Sequence, residues 1–189
     1  MSEQLLPGYF IHRGSTLDRA LLLKFMQRTY QDIFPNQDFS HLEQTVKQYF
    51  STDTPLWWVE EDAKGDAGKL LSVSPEVPIG KSRRSDFSLR PLVPTSSNPI
   101  ACVWVGNAID QVQGNRHAHI FILYVAPEHR RRGIGTALMQ YVENWAIQRG
   151  DRQIGLQVFQ SNKPALNLYD RLGYQTQSLW MVKFLSAEK

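Results

Sequence analysis

With 189 residues, 42% hydrophobic and 21% charged, the chain has the length and composition of one ordinary globular domain, large enough to bury a core without disulfides or metals. That excludes a disordered tail, a collagen-like chain and a coiled coil, and the longest uncharged apolar run, Ile120–Ala126, is far short of the ~20 residues that span a bilayer. The net charge of +3 is carried by residues 63–99, with six basic and three acidic side chains; the remainder holds 15 of each. There is thus no basic domain, and the charge arithmetic argues against nucleic acid as a partner. Cys102 is the single cysteine, which excludes an internal disulfide framework and a Cys-based zinc site. Met1–Pro7 has no basic segment ahead of an apolar stretch, so a signal peptide is not expected and a reducing cytoplasm fits.

In chain order, Tyr9–Arg13 reads as a short strand. Ser15-x-x-Asp18 resembles a capping box, opening a helix with Leu22, Phe25, Met26, Tyr30 and Ile33 at helical spacing, and Pro35 ends the run. Ser40-x-x-Glu43 reads as a second box before Leu42, Val46, Tyr49 and Phe50. Leu56–Val59 reads as a strand. Residues 63–99 hold five of the ten prolines and are rich in serine, which predicts a long loop or insertion. Ile100–Val105 and His117–Val125 read as strands, and 135–149 as a helix stopped by Gly150. Ile154–Phe159 reads as a strand, Pro164–Leu172 as a helix and Trp180–Leu185 as a closing strand. The mixture predicts a single α/β or α+β domain, 1–189, around one sheet.

The chemistry lies in Ile120–Leu138, where an apolar strand meets Pro127, then Arg130-Arg131-Arg132, then Gly133-Ile134-Gly135, then a helix. The glycines allow φ > 0 and a close backbone approach. The first free N–H groups of the helix and its dipole favour an anion, and the arginines can add charge-assisted contacts. A phosphate or pyrophosphate suits such a cradle; a strand–turn–helix corner with solvated arginines is the plainer alternative. The Walker pattern is absent, and Leu138 occupies the third glycine position of the Rossmann fingerprint.

Arg130-x-x-Gly133-x-Gly135, followed by Asn162-Lys-Pro-Ala-Leu-Asn-Leu-Tyr169-Asp-Arg-Leu-Gly173-Tyr174, resembles the GNAT superfamily of N-acetyltransferases. The resemblance is specific over 118–174 and looser over 8–62. It implies a central twisted mixed sheet flanked by helices, with splayed central strands, and acetyl-CoA as co-substrate without a metal. By that resemblance the backbone of Leu123, Tyr124 and Val125 would hold the pantetheine arm. The loop Arg130, Arg131, Arg132, Gly133, Ile134, Gly135 and Thr136 would hold the pyrophosphate. Asn162 would contact the cofactor's arm, Ala165 would pack beside it, and Tyr169 would lie near the thioester sulfur. Taken alone, Asn162 also reads as a helix cap and Tyr169 as a core aromatic.

The implied reaction is direct attack of a neutral amine on the thioester. A strand N–H such as that of Val125 would stabilise the oxyanion, and Tyr169 would give a proton to the leaving thiolate. Cys102 reads as a small buried residue rather than a nucleophile. The positions that carry a glutamate base in some members are His119 and Gln157 here. Gln157 cannot titrate; His119 can act as the base, with a water chain as the alternative. Tyr30, Phe34, Trp57, Trp58 and Trp104 either shape an acceptor pocket or fill the core. The expected acceptor is a small-molecule or protein amine, the oligomeric state is left between monomer and homodimer, and a non-catalytic acyl-CoA-binding sensor or scaffold is the competing reading.

Overall fold

The computed structural model describes residues 2–62 and 98–185, so the predicted insertion at 63–99 lies, but for its last two positions, outside the described residues. Its elements are β1 (Ser2–Leu6), β2 (Tyr9–Arg13), α1 (Arg19–Gln31), α2 (Leu42–Tyr49), β3 (Leu56–Glu61), β4 (Ala101–Ile109), β5 (Arg116–Val125), α3 (Ile134–Gln148), β6 (Ile154–Leu156) and α4 (Lys163–Arg171). The strands form one six-stranded sheet in sequence order. Neighbours are antiparallel from β1 to β5, and β6 joins β5 in parallel after the α3 crossover. This is the expected mixed α/β fold.

Helices cover both faces. Leu138, Met139 and Val142 of α3 pack on Ile11, Val59, Val103 and Ile120, while Leu22, Phe25 and Met26 of α1 and Leu42 and Val46 of α2 pack on Trp58, Trp104, Ile122 and Tyr124. The Ser15 box forms: Leu17 N–H donates to Ser15 Oγ at 3.2 Å, and Ser15 N–H donates to Asp18 Oδ2 at 2.7 Å. Asp18 Oδ2 also accepts from Trp58 Nε1 at 3.2 Å, so the cap ties the entry of α1 to β3.

A bulge divides β5. Trp104 pairs with Ile122 and the next residue, Val105, with Ile120, which leaves Phe121 as the extra residue. Side-chain alternation therefore resets at that point. Ala118 and Ile120 face α3, whereas Ile122 and Tyr124 face α1 and α2. Gly106 makes room for the displaced ring, since a Cβ there would fall 2.1 Å from Phe121 Cε2.

Three expectations are corrected. The Ser40 box does not form: α2 starts at Leu42 without a side-chain cap, because the Ser40 hydroxyl donates instead to Asp38 Oδ2 at 2.8 Å. The strand expected to run to Phe159 stops at Leu156, because Phe159 turns to α1, its ring 5.2 Å from Phe34 and 6.1 Å from Tyr30. The strand expected at 180–185 is absent, and Trp180 and Phe184 stay 82% and 92% exposed. That segment is apolar on both faces apart from Lys183, so alternation selects no face and strand propensity alone forms no ladder. β1 was not anticipated: Ser2–Leu6 has little alternation, and its pairing with β2 holds it.

Candidate active site

The site grows from the end of β5. Ala126 N–H donates to Ile100 O at 2.8 Å, so in this antiparallel ladder Val125, one residue earlier, turns its own N–H and C=O away from β4. On that other side β6 pairs only with Ala118–Ile120. The edge of β5 beyond Ile120 thus parts from β6, which is the splay the sequence resemblance implied.

After Val125 the chain makes a short turn of 3₁₀ helix at Pro127–His129. Arg131 then takes φ 65°, the single non-glycine residue at positive φ among the described residues, and Gly133 follows at φ 85° as N-cap of α3. A left-handed arginine is a strained choice that persists when its surroundings demand it. No side chain caps α3. The first bond back to the cap is Ala137 N–H to Gly133 O at 3.0 Å, so the N–H groups of Ile134, Gly135 and Thr136 have no partner within the helix. Free amides and the positive end of a helix thus lie at the end of an open strand edge.

The three arginines differ in what they touch. Arg130 donates from Nε to Val125 O at 2.8 Å, pairs through Nη2 with the Asp32 carboxylate and lies 5.7 Å over the Tyr124 ring. Arg132 donates to Tyr9 Oη at 2.8 Å and stands 3.7 Å from Glu61. Arg131 is exposed and has no hydrogen bond or ion pair among the described residues. Beneath them His129, 9% exposed, places Nδ1 3.4 Å from Tyr9 Oη and 3.9 Å from Glu61. Tyr9, Glu61, His129 and Asp32 escape sequence reasoning because they converge from separate elements. The local signal was His129 beside the arginines.

α4 lies against the cradle. A Cβ on Gly135 would meet Leu168 Cδ2 at 3.3 Å, so this glycine admits α4 as well as leaving the backbone bare. Asn162 caps α4, its Oδ1 accepting from Ala165 N–H at 3.3 Å, which leaves its Nδ2 donors for another partner. Tyr169 packs on the α3 side of the core, 5.7 Å from Tyr174. Burial pushes its phenol up to about 12.

His119 lies on β5 next to the bulge, 5.5 Å from the Phe121 ring, opposite Gly106 on β4 and Gly155 on β6. Burial, then its neighbour His117, lowers its pKa. No hydrogen bond or ring contact joins His119 to Tyr169 among the described residues. Gln157 lies exposed just past β6. Cys102 is fully buried, and burial pushes its thiol far up, as suits a packing residue. Trp57, Trp58 and Trp104 are core side chains. Tyr30 and Phe34 instead meet Phe159 on the α1 side.

The open edge of β5 runs into the uncapped N-terminus of α3, and α4 closes one side. Residues 23–174 match the family model described as Acetyltransferase (GNAT) family, and the chain belongs to that family. It is 36% identical over 78 residues to an uncharacterized N-acetyltransferase of Methanocaldococcus jannaschii, covering 41% of this chain and 33% of that one. It is 40% identical over 60 residues to thialysine N-epsilon-acetyltransferase of Mus musculus, covering 32% of this chain and 35% of that one. These matches span about a third of the length of each relative. Among solved structures, a predicted acetyltransferase of Clostridium acetobutylicum with acetyl-CoA shares the fold at a TM-score of 0.64 and 16% identity, over 93% of this chain and 96% of that one. Among the described residues, no helix is long and apolar enough to cross a membrane.

Proposed function

We propose that the protein is an acetyl-CoA-dependent N-acetyltransferase that transfers acetyl to a primary amine by direct attack. One observation carries the reading: the open edge of β5 runs into the uncapped N-terminus of α3, so a single path offers strand hydrogen bonds and then free amides. That sequence suits an extended amide-bearing arm ending in a pyrophosphate. Leu123 holds the arm, whereas Tyr124 turns its backbone to Cys102 on β4 and Val125 gives its C=O to Arg130 and keeps its N–H for the oxyanion; Ile134, Gly135 and Thr136 with Arg131 receive the pyrophosphate, and Asn162 and Ala165 border it from α4. No metal is required. The amine nitrogen forms a bond to the thioester carbonyl carbon, the oxyanion takes a strand N–H such as that of Val125, and the C–S bond breaks as Tyr169 donates to the departing sulfur. The acceptor is a small-molecule or protein amine, an assignment supported by relatives named for amine acetylation. Cytoplasmic localisation belongs to the same proposal.

Acetyl-CoA is expected to raise the melting temperature, since a ligand at 100 times its Kd adds about 2.7 kcal/mol. NAD and ATP should do much less. Equal stabilisation by all three, in a thermal-shift titration, would point to generic phosphate binding. The competing reading, a non-catalytic binding module, draws on the absence of a carboxylate at His119 and Gln157. Thiol release with a panel of amines separates the two.

His119 serves as the amine's base in this proposal. Because burial lowers its pKa, it stays neutral and competent below the ordinary histidine range near 6.5. The acid limb of kcat/KM is then expected below that range, and His119→Gln should lower kcat/KM by roughly 10²-fold and remove the limb. An unchanged pH profile in the variant would assign the proton to water.

A further inference from the structure

Asp32 stands at the wrong end of its helix. It is the C-cap of α1, where the helix dipole disfavours a carboxylate. Such a break of a local rule calls for compensation, and Arg130 provides it from 98 residues away by a direct ion pair. The same guanidinium also reaches Val125 O at 2.8 Å and lies 5.7 Å from the Tyr124 ring centroid. Tyr124 is itself 5% exposed and packs on Phe25 of α1 at 5.3 Å. Arg130 therefore joins three things with one planar group: the last residue of β5, the end of α1 and the start of the cradle loop. A guanidinium has five donors in a fixed fork, and here its Nε and Nη2 are turned inward to protein acceptors.

We infer that Arg130 is a positioning residue rather than a cofactor ligand, and that the Asp32–Arg130 pair is a strut that fixes the cradle loop against α1. The inference rests on the reading of that loop as the cofactor cradle and adds a division of labour. Arg131, free of protein partners among the described residues, is the arginine left to meet phosphate. Arg130 holds the backbone that presents the amides. Because Asp32 belongs to α1, on the sheet face opposite α3, the strut also makes the loop's position depend on the helix that walls that face.

The pair is half-exposed, with side-chain exposures of 43% for Arg130 and 37% for Asp32, so its effect on global stability is small and the informative readouts are local. Asp32→Asn, Arg130→Gln and the double variant are compared with the parent in two measurements. Hydrogen exchange of the ligand-free proteins, read on peptides covering 126–138, is expected to quicken roughly 3–10-fold in each single variant, with β4 peptides unchanged. The double variant should match the singles, the non-additivity of one shared interaction. Calorimetric titration with acetyl-CoA is expected to show roughly 3–10-fold weaker binding in each single variant, and Asp32→Glu, which keeps the pair, should restore it. A direct phosphate ligand held back by Asp32 gives the opposite sign: Asp32→Asn would tighten binding. That result, or loop exchange at the parent rate, overturns the strut. If the parent takes no acetyl-CoA, the functional reading fails, and the exchange data still decide whether the strut exists.

Discussion

Tyr169→Phe is expected to lower kcat by about 10²-fold, the low end for a general acid, while acetyl-CoA affinity changes by less than about 2-fold, because the ring packing is kept. The size follows from the mismatch of two acids. Burial holds the Tyr169 phenol near 12, against about 8.5 for a thiol, so complete transfer to a free thiolate would run uphill by about 5 kcal/mol. The phenol is therefore always protonated at working pH and acts on the breaking C–S bond by donating a hydrogen bond, not by losing its proton early. The same shift places any rate loss from tyrosine ionisation near pH 12, so no alkaline limb from Tyr169 is expected in an ordinary assay range. Steady-state kinetics and a cofactor titration on one preparation decide it. Unchanged kcat would make Tyr169 a packing residue, and lost affinity with unchanged kcat would make it a cofactor contact.

Gly106→Ala is expected to destabilise the fold by about 3 kcal/mol, lowering the melting temperature by about 6–12 °C. Elsewhere in a strand this substitution would gain roughly 0.5–1 kcal/mol through the unfolded chain. Here the new Cβ would fall 2.1 Å from the Phe121 ring. The ring is held by Trp104 at 4.5 Å, His119 at 5.5 Å and Tyr49 at 5.7 Å, so the clash outweighs the entropy. Adding Phe121→Ala should cost less in the Gly106→Ala background than in the parent. A melting temperature equal to the parent's would mean that the ring moves freely. Since Phe121 is the neighbour of His119, kcat/KM should fall with the stability.

What the sequence made legible were the features written in local chemistry. Leu22, Phe25 and Met26 announce α1 by spacing, Ser15 and Asp18 announce its start, and Gly133 announces the turn into α3. The cradle was readable because glycine and helix start are adjacent in the chain. Features set by distant contacts were not. Asp32 looks like any exposed helix-end carboxylate until β5 and its loop bring Arg130 beside it. The bulge at Phe121 leaves no mark in a run of apolar residues, since each half of Ile120–Ala126 satisfies alternation by itself. Trp180–Leu185 shows the opposite failure: a persuasive strand composition that, in this structure, finds no ladder. His119 is marked only by its spacing within the family resemblance, and its surroundings, Gly106 and Gly155, come from two other strands.

The reset of alternation at Phe121 makes the length of β5 as consequential as its composition. Upstream of the bulge the strand feeds one core, downstream it feeds the other, and the one extra residue keeps the two accounts separate. Deleting Phe121 would remove the bulge yet leave Ile120 and Ile122 on opposite faces as they are now, so Ala118, His119 and Ile120 would keep their faces and their partners on β4. A β5 shorter by that one residue should therefore keep both cores and lose only the ring that fills the space over Gly106. A change of length that the bulge does not absorb would turn one half of the strand inside out.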